Sequence, residues 1–152
     1  MAGAGCRAAV NVTSHTAAAG ASWRESTGGG GREHAIRADV ADESEIAAMF
    51  VEAERALGTI VGLVNNAGMS TSGPVNKADP SRELQMVRTN AEAVVDLCAQ
   101  VIPGMVDRGR GAVLNVASTA AFQPVPVQAA YGASKAFVLP YGYALPPELK
   151  RS

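Results

Sequence analysis

Cysteine is scarce in this 152-residue chain: there are only two, Cys6 and Cys98, far apart in sequence. Their separation matches no metal-ligand spacing, so no metal site is expected, and two reduced thiols suit a cytoplasmic protein. His15 and His34 lack ligand-like neighbours and carry no assignment. An excess of charge of either sign is missing, with 13 Lys and Arg against 14 Asp and Glu. A net charge of -1 supplies no basic footprint, so no nucleic-acid partner is expected. Long apolar runs are also missing. None approaches the roughly 20 residues that span a membrane, and residues 1–10 show no apolar h-region of a secretory leader. Aromatic residues make up 5% and charged residues 18%, against 47% hydrophobic. A chain of this length and make-up, rich in Ala, Val and Gly, predicts one ordered α/β domain around one core.

The residues with chemistry to offer gather between Ser118 and Lys135. An apolar, strand-like run from Gly111 to Ala117 ends at Ser118–Thr119–Ala120–Ala121–Phe122, and Tyr131–Gly132–Ala133–Ser134–Lys135 follows. Tyr131 and Lys135 are four residues apart, which on a helix places them on one face, roughly 6 Å apart along the axis. A strand end, a loop and a helix start can bring Ser118 to the same rim. A phenol, an amine and a hydroxyl together suit proton transfer at a carbonyl/alcohol pair. A free phenol, with a pKa of about 10, is a poor base near neutrality, and a neighbouring ammonium favours its ionised form. The serine hydroxyl can fix the substrate oxygen by a hydrogen bond. On its own, Tyr-x-x-x-Lys is usually a surface helix pair, and the rest of the chain has to decide.

Residues 1–34 are the least determined segment. Arg7–Val12 reads as a short strand, and Thr16–Glu25 holds helix formers with weak periodicity. Gly28–Gly31 does not read as a phosphate loop, because it leads into the strand-like run His34–Val40 and opens no helix; a flexible connection fits it. From residue 35 to 152 the pattern is clearer. Asp42 starts a helix with Glu45 as capping-box partner, and Ile46, Met49, Phe50, Ala53 and Leu57 form its apolar stripe, closed by Gly58. Thr59–Val64 suits a buried parallel strand and runs into Asn65–Asn66–Ala67–Gly68. Asp79 and Pro80 open a long helix to Asp107, whose buried stripe is Leu84, Val87, Ala91, Val94, Val95, Cys98 and Val101, with the polar Asn90 among them. Alternating strands and helices predict right-handed βαβ units on a parallel sheet, whose ligands sit beyond the carboxyl ends of the strands. Asp39, Asn65–Gly68 and Ser118 all fall at such ends.

With these residues in place, the chain resembles the short-chain dehydrogenase/reductase family over residues 7–145. Asp39–Val40, Asn65–Asn66–Ala67–Gly68, Asn90, Ser118 and the Tyr131/Lys135 pair match five of the family's motifs in their order. The resemblance implies a Rossmann-like, incomplete doubly wound parallel sheet of about four strands with flanking helices. It implies an NAD(P)-dependent oxidoreductase acting on a small-molecule carbonyl or alcohol. Tyr131 is then the general acid/base, Lys135 lowers its pKa and holds the nicotinamide ribose, and Ser118 orients the substrate carbonyl. Asn90 supports a water-linked proton relay to Lys135. Asn65, Asn66, Ala67 and Gly68 shape the cofactor wall, and Asp39 and Val40 contact the adenine. The strand ending Asn11–Val12–Thr13–Ser14 lacks the acid that selects NAD in the family, a slight lean to NADP. Phe122–Gln128 suggests an apolar substrate wall.

The departures are as informative. The family's first strand and its Thr-Gly-x-x-x-Gly-x-Gly turn have no good match: Gly3–Ala4–Gly5 is a poor remnant, and Arg7–Val12 aligns with the family's second strand. The helix from Tyr131 meets Pro140, Pro146 and Pro147, each costing about 3 kcal/mol or more inside a helix, so it is expected to end near residue 145. Residues 35–152 thus read as a partial dinucleotide-binding catalytic domain. Family members commonly pair through the helices here at 80–107 and 131–145, which implies a homo-oligomer. Two functions follow: an active oxidoreductase, or a truncated, catalytically weak relative serving as a binding or subunit-interaction module.

Overall fold

Side-chain caps mark where the helices begin. The computed structural model describes residues 7–12 and 32–149. Gly3–Ala4–Gly5, Cys6, Thr13, Ser14, His15, Thr16–Glu25 and Gly28–Gly31 lie outside the described residues. Helix α1 (Glu43–Leu57) opens on Asp42, whose carboxylate accepts from the backbone N–H groups of Ser44 and Glu45. The Ser44 hydroxyl and these two amides hold that carboxyl below its usual pKa. Glu45 does not close the expected capping box. Its carboxylate accepts instead from Asp39 N–H at 2.7 Å, because Asp42 N–H is already given to Asp39 O at 3.0 Å. Gly58 ends the helix at φ 86, a conformation that costs a glycine nothing.

The described residues up to Ile60 form one compact unit and those from Val61 another. In the first, strands β1 (Arg7–Val12) and β2 (Arg32–Arg37) pair in parallel, Arg7 opposite Arg32. The strand-like run expected at His34–Val40 therefore starts and stops earlier; Ala38 and Val40 lie beyond it and still reach the core. Helix α1 covers this pair, burying Ile46, Met49 and Ala53. Each such apolar side chain taken from water contributes about 0.8 kcal/mol per buried CH₂. His34 Nε2 meets Glu52 Oε1 on α1 at 2.7 Å, a contact that spacing alone did not suggest.

In the second unit, β3 (Gly62–Asn65) and β4 (Ala112–Asn115) pair in parallel, Asn65 opposite Asn115. Among the described residues, the four strands thus form two parallel pairs. Strand β3 differs from the fully buried strand its apolar run predicted. Its register partners Val64 and Leu114 are 62% and 58% exposed, while Leu63 and Val113 on the other face pack against a core of Val94, Cys98 and Val138. Within this unit helices pack on that second face, so an unbroken apolar run alternates in burial as period two requires.

Helix α2 (Pro80–Val87) starts on Asp79, and its chain continues as helix α3 (Ala93–Asp107) through a widened turn at Arg88–Glu92, where Ala93 N–H bonds to Arg88 O. That π turn shifts the helical phase by one residue. The single stripe drawn across it holds at Ala91, Val94, Cys98 and Val101 but not at Leu84 and Val95, which are 58% and 36% exposed, and it omits the buried Met86, Leu97 and Met105. Helix α4 (Ala129–Leu149) also departs from expectation, running through Pro140, Pro146 and Pro147. All three prolines are exposed, so carbonyls freed by the missing N–H groups can reach water, while Gly132, Ser134, Lys135 and Val138 of the same helix are buried. Among the described residues, no helix is long and apolar enough to cross a membrane.

Candidate active site

Three segments of the second unit converge. At the end of β3, Asn65 is buried and turns inward, its Nδ2 donating to Asn115 Oδ1 at 2.8 Å. Asn66, Ala67 and Gly68, which follow, are exposed. Asn65 therefore joins the ends of β3 and β4, and the three residues after it present an open wall. Cys98 and Tyr141 lie behind this junction. Burial pushes the Cys98 thiol up, against the hydrogen bonds from Asn65 and Tyr141. Burial, then the neighbouring Cys98, pushes the Tyr141 phenol up to about 12.

Beyond β4, Ser118 caps a short 3-10 turn at Thr119–Ala121, its Oγ accepting from Ala120 N–H at 3.2 Å. Its O–H remains available to donate among the described residues. This turn packs on the start of α4: a Cβ built on Gly132 would lie 3.4 Å from Ala120 O. Ser118 is thereby set beside the helical turn that carries Tyr131. The loop between them holds Val127 at φ 61, an unusual conformation for a β-branched residue. Its carbonyl accepts from Gly73 N–H at 2.8 Å. Phe122 and Val127 are 74% and 55% exposed.

Tyr131 and Lys135 lie one turn apart on the unbroken helix α4. Lys135 is buried, at 7% exposure, and its Nζ donates to Val116 O at 3.0 Å. The same ammonium stands 3.4 Å from where a Cβ on Gly68 would be, and Asn90 Oδ1 stands 3.1 Å from that point. A Cβ there would touch the ammonium and press on the Asn90 oxygen, so glycine keeps this close approach free of crowding. Asn90, at 1% exposure in the π turn, clamps the next residue. Its Oδ1 accepts from Met69 N–H at 3.0 Å, and its Nδ2 donates to Met69 O at 2.9 Å.

Lys135, Asn90 and Gly68 thus meet at one place, with Ser118 and Tyr131 on the adjoining turn. The chain matches the family model described as short chain dehydrogenase over residues 1–152. This chain belongs to the short-chain dehydrogenase/reductase family.

Among its relatives, the chain is 38% identical over 104 residues to the inactive 2-(S)-hydroxypropyl-CoM dehydrogenase 2 of Xanthobacter autotrophicus, covering 68% of this chain and 45% of that one. A short-chain dehydrogenase from Sphingobium yanoikuyae in complex with NADPH superposes with a TM-score of 0.82 at 30% identity, covering 95% of this chain and 57% of that one. A metagenomic short-chain oxidoreductase in complex with NADP gives 0.88 at 28% identity, covering 97% and 66%. The chain spans less than half the length of the curated relatives it matches.

Two predicted site residues of this short-chain dehydrogenase/reductase chain belong to the first unit. Asp39 Oδ1 accepts from Ala41 N–H at 2.9 Å and so shapes its own turn. Val40, at 4% exposure, is a core side chain. A separate groove of about 490 Å³, lined by Ile102, Met105, Val113, Leu145 and Leu149, includes none of Ser118, Tyr131 and Lys135. Sequence reasoning missed Met69 and Ser134, both bonded to Asn90. A small polar residue between Tyr131 and Lys135 was the signal available for Ser134.

Proposed function

We propose that this chain carries the catalytic centre of an NAD(P)-dependent oxidoreductase that interconverts a carbonyl and an alcohol. The observation that carries the reading is the buried Lys135 ammonium, held by Val116 O and facing Gly68. An ammonium has three donors. One is spent on Val116 O, which leaves two among the described residues for a vicinal pair of ribose hydroxyls. An exposed wall at Asn66–Gly68, without a side chain at its tightest point, suits the close approach of a flat ligand. The residues present therefore fit the dinucleotide that the family uses, with Lys135 and Tyr131 on the ribose and Gly68 beside it. A bound nicotinamide supplies or accepts the hydride.

The chain's own residues do the remaining work. Tyr131 gives its phenolic proton to the carbonyl oxygen during reduction and takes it back during oxidation. Ser118, with an O–H left to donate, fixes that oxygen. Lys135 places a positive charge one turn from the phenol. Asn90 keeps Met69, and with it Gly68, against Lys135. The two similar structures holding NADPH and NADP support an NADP preference. The exposed Phe122 and Val127 on the intervening loop favour a carbonyl attached to an apolar body.

The test is NADPH oxidation by this chain with a panel of aldehydes and ketones of increasing apolar length. Turnover is expected, rising with apolar length. No oxidation above the rate without protein, across the whole panel, would overturn the reading.

A further inference from the structure

Ser134 lies between the two residues singled out for chemistry and is itself buried, at 4% exposure. Its hydroxyl is committed in both directions: it donates to Tyr131 O at 2.8 Å and accepts from Asn90 Nδ2 at 3.1 Å. Asn90 in turn holds both the N–H and the C=O of Met69, adjacent to Gly68. A continuous set of hydrogen bonds therefore runs from the backbone of Tyr131, through Ser134 and Asn90, to the loop that faces the Lys135 ammonium. The Ser134–Tyr131 bond is local to the helix, but the links from Ser134 to Asn90 and from Asn90 to Met69 join residues far apart in sequence, which neither helical periodicity nor a turn motif provides.

We propose that Ser134 is a positioning residue, tying helix α4 to the wall at Gly68–Met69 through the Asn90 amide. The Asn90 side chain has one acceptor and two donors to place, and its environment offers it Met69 on one side and Ser134 on the other. Ser134 accepts one of the two amide hydrogens and so fixes the plane of the amide. That plane sets where Oδ1 lies relative to Met69 N–H. Removing the hydroxyl leaves that hydrogen without a partner in a buried place and frees the amide to turn. The wall then loosens from Lys135 while the helix itself remains. Any consequence for turnover rests on the function proposed above; the consequence for the wall does not.

The test is amide hydrogen exchange on the full chain, comparing Ser134→Ala with the parent at two sites. Met69 N–H bonds to Asn90, and Val101 N–H lies in the buried part of helix α3 as an internal control. Exchange at Met69 is expected to quicken about tenfold more than at Val101, because the opening is local and not global. Equal changes at the two sites, or no change at Met69, would overturn the proposal. If Ser134→Ala does not fold, Ser134→Cys, which keeps the shape and weakens both bonds, decides by the same comparison. Where turnover is measurable, the NADPH Kd should rise about tenfold with kcat at saturating NADPH within about threefold, a split that general destabilisation does not produce. A chain that shows the Met69 effect but reduces no carbonyl contradicts the proposed function alone.

Discussion

Tyr131→Phe is expected to lower NADPH-dependent carbonyl reduction by about 10²–10⁴-fold, the usual worth of a positioned acid/base group. The substitution removes one oxygen and keeps the ring. Among the described residues that oxygen makes no hydrogen bond, so its loss leaves no buried partner unsatisfied. Stability should change by less than about 0.5 kcal/mol. The ring is half-buried on an unbroken helix, so Lys135 keeps its bond to Val116 O. Cofactor affinity should stay within about threefold, since only an interaction used in the proton transfer is lost. Steady-state kinetics with a fluorescence-monitored NADPH titration separates the two quantities. Activity that survives within about tenfold would mean that another group moves the proton.

Asn90→Ala should have the largest effect on stability. One side chain at 1% exposure accepts from Met69 N–H and donates to Met69 O and Ser134 Oγ. Alanine removes all three bonds and opens a cavity of amide size within the π turn. A lost bond costs about 0.5–1.5 kcal/mol and a buried orphan about 1–3. Met69 is half-buried, so water can recover part of its share. A loss of about 2–4 kcal/mol follows, a large fraction of the 5–15 that a domain typically has. Urea unfolding should show a lower midpoint at unchanged slope. A loss below about 0.5 kcal/mol would show that the clamp is not made in solution.

The placement of the candidate site's residues was more legible in sequence than the packing around them. Tyr131, Lys135 and Ser118 carry rare chemistry at spacings that helix geometry fixes, so local rules sufficed to group them. Asn65–Gly68 declared itself by following an apolar strand. The π turn at Arg88–Glu92 had no such sign: no glycine or proline marks it, and its reason is tertiary, the inward Asn90 meeting Met69 and Ser134. Missing it put Leu84 on the buried stripe and left Met86 off it; Val95 and Leu97 lie beyond the turn, in a nearly continuous apolar stretch where periodicity does not choose between neighbours. The prolines of α4 misled in the opposite sense. Their local cost was read correctly, but whether the freed carbonyls can reach water depends on which side faces out. Strand β3 shows the same limit, since an apolar run does not say which of its faces a helix will cover. Ser134 was passed over because a serine within a helix usually bonds its own backbone. This one does so through Tyr131 O, and also takes a long-range partner that periodicity cannot reveal.

The account stands most directly on whether this chain holds a nicotinamide dinucleotide beside Lys135. Titrating NADPH and NADH separately while following their fluorescence measures that. Saturable binding is predicted for NADPH, tighter than for NADH, and weakened when Gly68→Val fills the space before the ammonium. No saturable change with either nucleotide up to about millimolar, a concentration at which even contacts worth only about 4 kcal/mol register, would contradict it.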